Sequence, residues 1–175
     1  MKKSTLIICS AISCFAAGSA NITEQELALV PNAKLVGKGT LNYLFWDIYD
    51  AFLYASEGTF QYDKPFALTL VYRRDFEGKE IAKRSIEEMV EQHLCQSPHF
   101  KKWESNMASI FPDVYEGDVL TGVRGEEGDT RFYYNGNEIA EVSDQAFTQC
   151  FFAIWLDEKT SEPKLRQQLL GASNE

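Results

Sequence analysis

Along residues 34 to 74 the apolar, β-branched and aromatic side chains gather into three runs, 34–42, 44–56 and 66–74, the last two parted by Gly58, Asp63 and Pro65. Runs of that length and composition between turn formers are read as strands. The period then changes. From Gly78 to Leu94 the apolar positions Ile81, Ile86, Met89, Val90 and Leu94 keep helical spacing, with Lys83, Arg84, Glu87, Glu88 and Glu91 on the wet side. A second helix is expected to begin near Pro98, because proline suits a first turn, and to carry Phe100, Trp103, Met107 and Ile110 inward. Strands return at 117–124, 129–134 and 138–142. Asn135-Gly136 between the last two predicts a tight hairpin, since both central residues of a type I′ turn need positive φ. Ser143 can cap the next helix, whose apolar face is Ala146, Phe147, Cys150, Phe151, Ile154 and Trp155. Ser161 and Pro163 open a last short helix that Gly171 stops. Three strands, two helices, three strands and two helices predict an α+β domain, a large and mostly antiparallel sheet with a helical layer on one face.

The first pair of strands carries polar groups among its apolar ones. Alternate residues of a strand share a face, so Asp47, Tyr49, Ala51 and Leu53 point one way and Ile48, Asp50, Phe52 and Tyr54 the other. On the third strand Leu68, Leu70, Tyr72 and Arg74 share a face. Two readings stand side by side. Tyr49, Tyr72 and Arg74 form a cleft that contacts a small aromatic or acyl ligand, or the tyrosines bury their rings with bonded hydroxyls while Asp50 pairs with Arg73 or Arg74. Trp46, Trp103 and Trp155 are read as core anchors, and Glu87-Glu88 and Glu126-Glu127 as solvated faces.

The N-terminus narrows the setting. Lys2 and Lys3 precede the apolar run Thr5 to Ala17, and Gly18-Ser19-Ala20 supplies small residues for a signal peptidase. That is the pattern of a secretory signal peptide over residues 1–20, cleaved after Ala20. A lipoprotein anchored through Cys14 is the lesser alternative. The expected product, residues 21–175, is one exported, periplasmic domain with its core at about 33–172, and no later stretch is long and apolar enough for a span. Setting aside Lys2 and Lys3 from the 17 basic side chains leaves 15 against 26 acidic ones, a net charge of −11. Such a surface repels phosphate backbones and disfavours nucleic acid.

Cys9 and Cys14 fall in the leader, so Cys95 and Cys150 are the remaining thiols. In an oxidising compartment they are candidates for a disulfide, or each is a small buried hydrophobe on its own helix. His93, Cys95 and His99, with Glu91, are the candidate metal ligands. On a continuous helix His93 and His99 fall on different faces, and Pro98 breaks the segment in any case, so a surface pair is the better account and no metal is expected. There is no glycine-flanked serine elbow, phosphate-cradling loop or Cys-x-x-Cys, and no cofactor is implied.

Taken together, "LVGKGTLNYLFWDIYDAFLYA", "YRRDFEGKEIAKRSIEEM", "FPDVYEGD", "FYYNGNEIAEV" and "FFAIWLDEKTSEPKLRQQLLG" resemble the chalcone isomerase-like family, in its bacterial exported branch. The resemblance spans about Ala33 to Ala172 and implies an open-faced sandwich, a large antiparallel sheet under a helical layer. The plant cyclase of that family holds a phenolate with an arginine just after the glycine of its first strand, aided by a threonine on the second strand and a tyrosine and an asparagine on the first helix. Here the first strand reads Gly37-Lys38-Gly39-Thr40, with Lys38 as the nearby cation, and the other positions align with Tyr49, Ile81 and Glu88. Lysine lacks the bidentate fork, isoleucine donates nothing, and a glutamate adds charge of the wrong sign. Chalcone cyclisation is therefore not expected, and the same missing arginine weakens an analogy to the family's fatty-acid binders. Three functions remain: a binder of a small hydrophobic or aromatic ligand, an isomerase or lyase using Tyr49 or Glu88 in proton transfer, or a structural or partner-binding envelope domain. An enclosed apolar cleft between sheet and helices favours the first two and a filled interior the third.

Overall fold

The computed structural model describes residues 22–171 apart from 94, 96 and 97. Six strands, β1 (Ala33–Tyr43), β2 (Trp46–Ser56), β3 (Phe66–Tyr72), β4 (Val119–Arg124), β5 (Thr130–Tyr134) and β6 (Asn137–Val142), form one sheet in sequential order, each antiparallel to its neighbours. Four helices accompany the apolar face: α2 (Gly78–Glu91), α3 (Phe100–Ile110), α4 (Gln145–Leu156) and α5 (Pro163–Leu169), after a single turn α1 (Glu24–Leu27) at the N-terminus. This is the expected α+β sandwich. The β5–β6 turn has Asn135 at φ 49° and Gly136 at φ 79°, the two positive angles its sequence calls for.

The core lies between sheet and helices. Ala51, Leu53 and Ala55 of β2 and Phe66, Leu68 and Leu70 of β3 face Trp103, Met107, Phe147, Phe151 and Phe152 from α3 and α4. Helix α4 is buried from Phe147 to Leu156 save Gln149, because a helix apolar nearly all round has no wet face to offer. Helix α5 lies across β1, and there glycine is a spatial necessity: a Cβ on Gly37 would stand 2.1 Å from the Gln168 carbonyl oxygen. Cys95 and Cys150 are joined as a disulfide with Cα atoms 5.9 Å apart, fixing the α2–α3 connection to α4.

Several expectations give way, each for a local reason. The helix after α2 begins at Phe100, with Pro98 and His99 in a turn before it. Helix α4 is capped by Asp144 rather than Ser143, since one carboxylate oxygen accepts both the Ala146 and Phe147 N–H groups at 3.1 Å while the other accepts the Trp103 indole N–H at 3.0 Å. Ala146, in the first turn, is exposed. On α2 the core-facing stripe runs through the small residues Gly78 and Ala82 to Ile86 and Met89, which leaves Val90 at 45% exposure. A second stripe of Ser85, Glu88 and Gln92 turns toward α4 and the α4–α5 connection, so Glu88 is buried instead of solvated. Leu94 lies outside the described residues. Trp103 and Trp155 anchor the core, but Trp46 stands at the β1–β2 turn under the Arg74 guanidinium and is 56% exposed. The second sheet face is not bare either. The α1 segment brings Ile22, Leu29 and Val30 against Ala67, Val123 and Tyr133, and α1 is closed by a Thr23–Glu26 capping box.

Candidate functional site

Between the sheet and helices α2 and α4 is a cavity of about 560 Å³. Its floor is Leu70, Leu120, Phe111 and Phe151; Phe76, Ile81, Ile154 and Trp155 close the helical side. The size lies in the usual range for small-molecule sites, and most of the lining is apolar or aromatic.

Tyr49 and Tyr72 line it from the sheet. They are direct partners across β2 and β3, with ring centroids 5.9 Å apart in an edge arrangement. The Trp155 Nε1–H donates to the Tyr49 hydroxyl at 2.8 Å. Burial pushes the Tyr49 hydroxyl well above the ordinary tyrosine pKa; the Trp155 bond works against this, and Glu162 and Glu88 work with it. Burial does the same for Tyr72, with Tyr49 adding to it. Both phenols are held neutral, as donors and acceptors rather than as bases.

The mouth is charged. Glu80, Lys83, Arg84 and Glu87 rim it from α2, and Ser161 and Glu162 from the α4–α5 connection. Arg84 pairs with Glu88 one turn on, and its other nitrogen lies 3.6 Å from Glu87. The second Glu88 oxygen accepts from the Ser161 hydroxyl at 2.8 Å and the Gln92 amide at 3.4 Å. Burial raises the Glu162 pKa, aided by repulsion from Glu88 and opposed by Arg84. An anion entering here meets carboxylates, and the nearest guanidinium is already engaged.

The other candidate residues fall elsewhere. Arg74 lies outside the cavity, its guanidinium 4.1 Å above the Trp46 ring. Asp50 is held by Arg73, whose Nε–H donates at 2.9 Å, and by the Thr40 hydroxyl at 2.7 Å; Asp47 accepts from the Asn42 amide. Lys38, paired in register with Phe52, points to the opposite sheet face, where it lines a polar groove of about 710 Å³ with Thr40, Asp50 and Arg73. Its register partner Phe52 lies on the face of β2 opposite to Tyr49. The Cys95 sulfur is committed to Cys150, and among the described residues no three His, Cys, Asp or Glu side chains converge as a metal site. The sequence reading brings Tyr49, Tyr72 and Glu88 to the cavity but misses Trp155, Ser161 and Glu162. The i,i+4 spacing of Arg84 and Glu88 is a local signal for their own pairing; nothing local marks the α4–α5 connection as a wall of the site.

The same framework exists in known proteins. The fold matches that of an Arabidopsis thaliana fatty-acid binding protein with a TM-score of 0.60 and 12% sequence identity, over 79% of this chain and 84% of that one. An uncharacterized protein of Haemophilus influenzae is 28% identical over 153 residues, 87% of this chain and 75% of the relative. The family model described as chalcone isomerase-like matches residues 19–171, nearly all of the sequence, so the chain belongs to the chalcone isomerase-like family.

Proposed function

We propose that this protein is an exported binder of a small hydrophobic molecule, held in the sheet–helix cavity, and that it does not cyclise chalcones. The cavity itself carries the reading: about 560 Å³ of space with an apolar floor, where a purely structural member of the fold would be filled. The name of the Arabidopsis neighbour, a fatty-acid binding protein, supports an apolar ligand as well. Against cyclisation stand three features. Lys38 lies on the other face of the sheet, Tyr49 is kept neutral, and Glu88 and Glu162 oppose a phenolate at the mouth. Acid–base catalysis is disfavoured on similar grounds, because both Glu88 oxygens are bonded and Tyr49 holds its proton.

Native mass spectrometry of protein purified from its own host is expected to show a retained small molecule. Ile81→Trp, which fills the cavity from the α2 side, is expected to lose it while melting as a folded protein. A bare protein mass, together with failure of alkyl and aromatic probes to titrate into the cavity, would overturn the proposal.

A further inference from the structure

We propose that the tip of the β1–β2 hairpin is a docking surface for a net-neutral lipid bilayer. At this turn four large apolar side chains in succession face water: Tyr43 at 67%, Leu44 at 77%, Phe45 at 96% and Trp46 at 56% exposure. Leu44 also holds φ at 55°, a conformation that tight hairpins normally give to Asn or Gly. Backbone strain and apolar exposure at one position bring nothing to the core, which lies elsewhere. They suit a tip whose partner is absent from the isolated chain.

Three features select a bilayer. The tip is a two-residue turn, a convex point, and a fluid apolar phase receives such a point without a complementary pocket. Tryptophan and tyrosine are the side chains that settle at the boundary between headgroups and hydrocarbon. The charge fits a neutral surface: residues 39–46 carry none, and Asp47 and Asp50 on β2 are matched in number by Arg73 and Arg74 after β3, on a chain whose net charge is −9. An anionic surface would be repelled by the rest of the molecule. The tip is also continuous with the cavity, since Asn42, Tyr43 and Ile48 line its mouth. A water-insoluble ligand would thus enter from the membrane beside the docked turn. That transfer step rests on the ligand-binding reading above; the docking does not.

The test uses the chain from Asn21, which holds every described residue, so that the apolar run Thr5–Ala17 does not itself partition. Phosphatidylcholine vesicles are expected to co-sediment the protein, to shift its emission to the blue, and to quench it when the lipid chains are brominated. Trp46 is the indole that reports, since Trp103 and Trp155 are buried. Trp46→Phe is expected to remove the quenching and keep most of the binding. Leu44→Ser with Phe45→Ser, both at exposed positions, is expected to weaken binding at least tenfold with the melting temperature unchanged. Absence of binding to phosphatidylcholine, equal binding by the double serine variant, a requirement for phosphatidylglycerol, or tip-dependent self-association without lipid would each overturn the docking. Vesicle docking by protein that takes up no apolar probe would leave the docking standing and refute the cavity reading alone.

Discussion

Glu88 is the residue whose surroundings depart furthest from its local pattern. Helical periodicity sets it beside Lys83 and Arg84 in water, yet it is 8% exposed and bonded to Arg84, Ser161 and Gln92. The signal for its burial lies 73 positions away in Ser161, beyond the reach of any window along the helix. Its consequence is chemical. While Glu88 holds Arg84, a carboxylate ligand finds no uncommitted guanidinium. Glu88→Gln keeps a polar partner for Ser161 and releases Arg84, and calorimetry is expected to show dodecanoate binding about tenfold tighter, roughly 1.4 kcal/mol. Unchanged affinity would mean that Arg84 does not meet the head group. Tyr49 makes a separate test. Tyr49→Phe strands the Trp155 N–H and is expected to cost about 1–3 kcal/mol in denaturant unfolding. Because burial raises the Tyr49 and Tyr72 pKa values above the ordinary 10.0, the folded chain holds these protons more tightly than the unfolded one. Their contribution is complete below about pH 10 and is lost as pH rises toward the folded values. Stability is therefore expected to fall above about pH 10, and to fall less steeply in a Tyr49→Phe, Tyr72→Phe double variant.

At the scale of elements, what the chain spells out locally is what the fold keeps. Six strands, the Asn135-Gly136 turn, the Gly171 stop and four helices follow from alternation, spacing and turn chemistry. The failures are of two kinds. The α1 turn carries its own sign in Thr23-x-x-Glu26, a capping box that a search for long apolar faces passes over. Facing and capping depend on partners. Gly78 and Ala82 lend α2 a buried stripe that large side chains do not mark, and Asp144 outcompetes Ser143 because Trp103 also needs an acceptor. The disulfide shows the same limit, since two cysteines in a sequence do not disclose whether their Cα atoms lie 5.9 Å apart. With its ends 55 positions apart in sequence, the bridge is expected to contribute about 4 kcal/mol by restricting the unfolded chain. Cys95→Ala with Cys150→Ala is expected to lower the denaturant midpoint accordingly. A change under about 1 kcal/mol would mean the unfolded chain is already compact at that loop.

For the molecule as a whole, charge rather than contact sets the response to solvent. The sequence carries 26 acidic against 17 basic side chains, and among the described residues Glu88 is the buried carboxylate that an ion pair holds. Among the described residues the ion pairs are surface ones. Lys34–Glu57 and Lys79–Glu77 leave both partners more than half exposed, and even Arg84, joined to the buried Glu88, is 60% exposed. Pairs of this kind contribute about 0–1 kcal/mol each and are weakened by salt. The surplus of negative charge acts in the opposite direction, since mutual repulsion is relieved when the native chain expands and is itself screened at moderate ionic strength. The two effects carry opposite signs, and the exposed pairs are individually small while the repulsion is summed over the whole surface. Raising sodium chloride from about 10 to 150 mM, which shortens the screening length from about 30 to 8 Å, is therefore expected to raise the melting temperature. A melting temperature that falls over the same range would show that specific pairs such as Arg73–Asp50 and Arg131–Glu141 outweigh the repulsion.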